Sequence, residues 1–154
     1  MNIGIFMKIG QPILIIDPYE WLPGYGESGV SFRSIGLNVI LDIDYEKEIL
    51  VDNEEVVLAL RREITFNYVR GFIREPFPGG SIFEFDSASG EFNLGKLTEF
   101  TDSDWLTNSL NTWRRLWNQE SPQFRHFSIQ FLSENVAFHI LAVDVFLSDE
   151  RLSN

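Results

Sequence analysis

Apolar and polar residues alternate through much of the first ninety positions, the pattern of strands with one buried and one solvated face. Pro12 to Asp17 offers a short apolar strand closed by Asp17-Pro18, and Pro23, Gly24, Gly26 and Gly29 then mark a loop over Tyr19 to Gly29. From Leu37 the apolar residues Val39, Leu41, Ile43 and Tyr45 alternate with Asn38, Ile40, Asp42 and Asp44, which predicts a half-buried strand. Ile49 to Val51, a turn at Asp52-Asn53 and Val56 to Leu60 suggest a hairpin, although EEVVLALRRE could also begin as a short helix. Ile64, Phe66 and Tyr68 give another strand, after which Gly71 is expected to mark a bulge or bend. Turn signals at Pro76 to Gly80 and at Ser87 to Gly90 flank SIFEFD and lead into EFNLGKL, so successive antiparallel strands are the economical reading.

The period changes after Asp102. Leu106, Leu110, Trp113 and Trp117 recur at spacings of four, three and four, which puts them on one face of a helix over about residues 103–118. Asp102 or Ser103 can cap its free N–H groups, and Arg114 and Arg115 lie near its negative end. FRHFSIQFLS and NVAFHILAVDVFLSDE then predict two further strands joined by a turn at Ser133 to Asn135, with only DERLSN left as a loose end. The expected architecture is α+β: a mostly antiparallel sheet system with one dominant amphipathic helix packed on it, in a single domain over 1–154.

Composition narrows the chemistry. With 154 residues, 44% hydrophobic and 14% aromatic, the chain has material for a core and is not of the disordered type. Cysteine is absent, which excludes disulfides and thiolate metal sites and suits a cytoplasmic location. The apolar start is interrupted by Lys8, Gln11 and Pro12 and lacks a preceding basic cluster, so neither a signal peptide nor a spanning helix is expected. Twelve basic against 23 acidic residues give a formal charge of −11, which repels nucleic acid and anionic lipid and favours basic partners.

Several constellations fall short of chemistry. Gly24-Tyr25-Gly26-Glu27-Ser28-Gly29 has the glycine spacing of a dinucleotide loop, with Asp44 downstream, but strand and not helix follows it. His126 and His139 are the only histidines, and two ligands do not make a metal site; no metal or cofactor is expected. Asp42, Asp44, Glu84 and Asp86 lie on strands where acid–base pairs occur, so a small hydrolase using paired carboxylates is the alternative from another class. A non-catalytic subunit of a homo-oligomer is a third.

The acidic run carries the leading expectation. If Asp42-x-Asp44-x-Glu46-x-Glu48 is extended, four carboxylates share one side, a self-repelling ridge that a basic partner would relieve. Asp52, Glu54 and Glu55 continue the charge, and Trp21 and Tyr25 are candidate aromatic contacts, with Trp105 either a contact or part of the core. Charge protecting an edge strand against aggregation accounts for the same ridge.

The final hairpin, with a strand, a polar turn and a long hydrophobic strand ending in FLSDE, resembles the C-terminal part of small immunity proteins of bacterial contact-dependent inhibition and other polymorphic toxin systems. The acidic, cysteine-free profile is similar too. That resemblance implies a protein that occludes the active site or substrate channel of a cognate toxin, often a basic nuclease. It carries over no individual binding residue.

Overall fold

The computed structural model describes residues 6–153 and folds them into two β-sheets and one α-helix. In chain order the strands are β1 (Met7–Ile16), β2 (Gly29–Ile35), β3 (Asn38–Val51), β4 (Glu54–Asn67), β5 (Gly71–Pro76), β6 (Phe83–Phe85), β7 (Leu97–Ser103), β8 (Arg125–Phe131), β9 (Val136–Ala142), β10 (Asp144–Leu147) and β11 (Arg151–Leu152). The helix α1 (Asp104–Trp117) stands between β7 and β8. One sheet runs β5-β9-β8-β7-β1-β6; the other runs β10-β4-β3-β2, with β11 also paired to β4. The protein is mostly β, with antiparallel pairing dominant, and among the described residues no helix is long and apolar enough to cross a membrane. The first five residues of the apolar N-terminal stretch and Asn154 lie outside the described residues.

A single core joins the sheets. Leu41, Ile43, Ile64 and Phe66 of β3 and β4 meet Phe127, Ile129, Phe138 and Ile140 of β8 and β9, all fully or almost fully buried. Phe66 and Phe127 stand 5.7 Å apart across the interface. Each such side chain contributes about 1.5–3 kcal/mol on burial, so the alternating positions of these four strands supply the main driving force. A smaller cluster covers the opposite face of the six-stranded sheet, where Ile9, Phe83 and Phe100 pack with Phe85, Phe92 and Trp105.

Local chemistry accounts for the boundaries. Asp52 and Asn53 both take positive φ, 52° and 64°, and close β3 onto β4 in a two-residue turn of the kind Asx residues favour. EEVVLALRRE is therefore strand throughout. Ser103 caps α1 by accepting the Leu106 N–H at 3.1 Å, and left-handed Asn118 ends it by donating to the Arg114 carbonyl. The aromatic contacts of α1 with the rest are made by Trp105, on Phe83 and His126, and by Trp113, on Phe124, while Asp104 accepts the Lys8 N–H and Arg70 reaches Ser109 and the Trp113 ring. No helix residue is buried, and Trp117, expected on its packed stripe, faces solvent, as does Leu116.

Five further details depart from the sequence reading. β6 pairs with β1 in parallel, because the chain between them runs through β2, β3 and β4 of the second sheet and β5 at the far edge of the first before returning. Strand β7 occupies Leu97–Ser103 and so takes only the last residue of the EFNLGKL segment, most of which is irregular. Gly71 forms no bulge: it opens β5, where a Cβ would meet the Trp105 ring at 2.6 Å. The apolar run from Val136 is two strands, since Val143 donates to the Asn67 carbonyl and carries the chain from one sheet to the other. Of DERLSN, the described residues 149–153 are not loose, because Arg151 and Leu152 pair with Arg61 and Leu60.

Candidate partner-binding surface

Because β3 is extended, Asp42, Asp44, Glu46 and Glu48 do share one side of it. The four differ in what stands opposite. Arg33 of β2 donates from Nε to Asp42 at 2.9 Å and from Nη2 to Glu63 at 2.9 Å, bridging two carboxylates that face each other across β3 and β4. Arg61 lies opposite Asp44 and donates to it from Nε at 2.7 Å and from Nη2 at 3.1 Å. Hydrogen bonding to Asp42 and to Asp44 raises the pKa of Arg33 and Arg61 above the ordinary arginine value, so both stay charged. The expected ridge is thereby shortened. Asp42 is buried, Asp44 is half-buried, and both are neutralised by the chain's own arginines, which arrive from neighbouring strands.

Glu46 and Glu48 stand opposite Ala59 and Val57 and are exposed. Among the described residues neither makes an ion pair, and neither do Asp52, Glu54 and Glu55 at the hairpin end. The reason is topological. β2 pairs with β3 only as far as Asp44, and β11 reaches β4 only at Leu60 and Arg61. Residues 46–58 therefore continue past the body of the sheet as a two-stranded arm. Leu58 at its base still packs against the core and Ile49 is half-buried, but the outer apolar side chains are open to solvent: Leu50 is 72% exposed and Val57 56%, with Val51 and Val56 also exposed.

The glycine loop lies at the base of this arm. Asp17 accepts the Tyr19 N–H at 3.0 Å and starts a single 3-10 turn, which presents Trp21 to Tyr45 at 5.2 Å between ring centres. Arg62 lies over the Trp21 ring, so this tryptophan is half-buried and engaged within the chain. Tyr25 remains exposed, its hydroxyl donating to the Glu46 carbonyl at 3.3 Å. The buried carboxylate of Glu27 accepts the N–H groups of Ser133 and Glu134 at 2.9 and 3.1 Å and pins the loop to the β8–β9 turn. The Gly24, Gly26 and Gly29 spacing thus leads into β2, and no helix follows to hold a pyrophosphate. Trp21, Leu22, Pro23, Tyr25, Glu46, Lys47 and Glu48 line a cavity of about 290 Å³ between loop and arm.

A second polar group is buried under Phe83. The diagonal neighbours His126 and His139 place their rings 5.8 Å apart, and Phe83 covers both, at 5.0 and 4.3 Å. His126 Nδ1 lies 2.7 Å from the Ser103 hydroxyl, and His139 Nε2 lies 2.9 Å from Glu75, which also accepts from Ser81 at 2.6 Å. Burial, reinforced by the charge of His139, lowers the His126 pKa to about 3. Burial also pushes the Glu75 carboxyl upward, but hydrogen bonds from His139 and Ser81 outweigh it and hold that pKa below the ordinary value. Ser103 is no activated nucleophile: it is buried, and its oxygen already accepts the helix N–H. These groups hold the second core together. No spacing in the sequence brings Glu75 to His139, since the contact depends on the pairing of β5 with β9.

Comparison with protein-family models finds no match, and comparison with curated proteins and with solved structures finds none either. The class defined by the fold is a mostly β, two-sheet protein with one helix, and the arm is its most distinctive surface.

Proposed function

We propose that this chain is a cytoplasmic protein-binding module of the immunity type, which neutralises a cognate basic toxin domain by laying the β3–β4 arm over its active site. The observation that carries this reading is the composition of the arm beyond Asp44: five exposed carboxylates that make no ion pair among the described residues, beside four exposed aliphatic side chains. Unpaired charge of one sign on a molecule of net −11 speeds encounter with a cationic surface. Apolar groups that lose water on contact then slow dissociation. A second copy of the chain is a poor occupant, because two such arms would set like charges against each other.

The test is purification of the tagged chain from its native host, identification of what accompanies it, and assay of that protein's activity with and without the chain. One basic protein, inhibited in a one-to-one ratio and released as salt is raised from about 0.05 to 0.5 M, is the expected result. A homo-oligomer with no second protein, or a partner whose activity the chain leaves unchanged, overturns the proposal.

A further inference from the structure

We propose that the partner is engaged by strand addition: an extended segment carrying arginine or lysine at alternate positions pairs along the open edge of β3 at Glu48 and Leu50, beyond the Tyr25–Glu46 contact. This rests on the arm being the binding surface and assigns the chemistry of what it takes.

The cavity at the base of the arm is lined by three consecutive residues of β3, Glu46, Lys47 and Glu48. Neighbours in a strand point to opposite faces, so a cavity above one face cannot be walled by all three side chains. It runs along the strand's edge, where the backbone is common to them. The direction of the backbone groups agrees. Ser28 donates to the Asp44 carbonyl at 2.8 Å, and the Tyr25 hydroxyl reaches the Glu46 carbonyl from the same side. Residues two apart repeat that orientation, so Glu48 and Leu50 turn their N–H and C=O groups outward. Among the described residues no strand pairs with β3 on this side beyond Asp44. A row of free donors and acceptors next to an apolar-walled cleft is a template for an added strand.

Charge selects the occupant. Glu46 and Glu48 are two residues apart on one face, so residues two apart on an added strand face them in register. Lys47 is the single cation of the arm, and it points away from them toward Glu150, 3.9 Å from its Nζ. A guanidinium reaching the Glu46 carboxylate also falls near the exposed Tyr25 ring, whose hydroxyl bonds the Glu46 carbonyl, a favourable stacking surface. The recognised element is therefore basic-x-basic in an extended segment.

The probe is a synthetic heptapeptide alternating arginine and threonine, titrated calorimetrically into the full chain. A second peptide carries neutral citrulline for arginine, and amide exchange is read at Glu48 and Leu50. The arginine peptide is expected to bind about tenfold more tightly than the citrulline peptide. The Glu46→Gln/Glu48→Gln variant should lose the same factor, and both amides should gain protection. Leu50→Pro, which removes an edge donor and spares the β4 ladder, should abolish binding while its far-UV spectrum stays unchanged. Equal affinity for the two peptides, or binding without protection at Glu48 and Leu50, overturns strand addition. If a protein partner from the native host is lost on Val56→Ser/Val57→Ser but kept on Leu50→Pro, strand addition fails and the arm remains the binding surface. If neither variant affects it, both fall.

Discussion

One hydroxyl serves two elements: the Ser103 Oγ accepts the Leu106 N–H at the start of α1 and lies 2.7 Å from Nδ1 of the buried His126. The helix start and the second core are thereby linked through a single atom. Ser103→Ala removes a cap worth about 1 kcal/mol and leaves a buried imidazole nitrogen unpaired at a further ~1–3 kcal/mol. A loss of about 2–4 kcal/mol in urea denaturation is expected, well above a typical surface substitution.

His126 also sets the acid response. It is held neutral when folded, with its pKa lowered from 6.5 to about 3, whereas the unfolded chain takes up a proton near 6.5. The unfolded state therefore binds more protons between those values, and stability falls steadily as pH drops from 6.5 toward 3. Glu75 adds to the lower part of that window, since its depressed pKa gives stability above its ordinary value of 4.5 that is lost below it. Denaturation midpoints measured from pH 7 to pH 4 should decline in the native chain, with a flatter profile in His126→Gln. At the alkaline end Tyr45, raised to about 12 by burial and by its hydrogen bond to Glu150, keeps stability intact up to about pH 10, beyond which it declines.

The strands were legible where apolar and polar residue types alternate. Val39, Leu41, Ile43 and Tyr45 alternate with Asn38, Asp42 and Asp44, and the period of β3 shows through even though Ile40 and Asp42 are buried as well. β9 is buried at every position from Val136 to Ala142, so its apolar run carried no mark of where one strand ended and β10 began. The break at Val143 is imposed by Asn67, a residue far away in sequence. The same distinction separates the charges: the shared face of Asp42 to Glu48 follows from strand period, but which carboxylates are spent depends on Arg33 and Arg61, whose positions only the pairing of β2, β3 and β4 fixes.

Arg33 bridges Asp42 and Glu63, two like charges directly opposite on adjacent strands. Taking away the arginine strands a buried carboxylate beside another, whereas Asp42→Asn removes a charge and leaves Arg33 free to hold Glu63. Arg33→Ala should therefore lower the thermal midpoint more than Asp42→Asn does, a ranking that differential scanning calorimetry reads directly. The reverse order would show that the bridge does not hold these strands together.

Gly71 opens β5 under Trp105. A methyl group there would sit 2.6 Å from the indole ring, well inside contact distance, and the ring is itself packed on Phe83 and His126. Gly71→Ala should cost about 1–3 kcal/mol through overpacking, although alanine ordinarily favours a strand over glycine. Trp105→Leu in the same background should recover part of that loss, which a double-mutant cycle of denaturation midpoints would reveal as coupling between the two sites.

Leu50 and Val57 lie on the arm's outward side, with no buried neighbour to lose. Replacing both with serine removes exposed aliphatic surface only, so the folded state should keep its stability to within ~0.5 kcal/mol. Binding responds differently, because an exposed apolar group gains its energy when a partner excludes water from it. The double variant should dissociate from its partner at least about tenfold faster while the association rate, set by Glu46, Glu48, Asp52, Glu54 and Glu55, stays nearly the same. Changing those acids to amides should do the opposite, slowing association and flattening its dependence on salt. Surface-plasmon kinetics of the two variant sets against the purified partner would resolve the division of labour, and a loss confined to stability in either set would place these side chains in the fold and not in recognition.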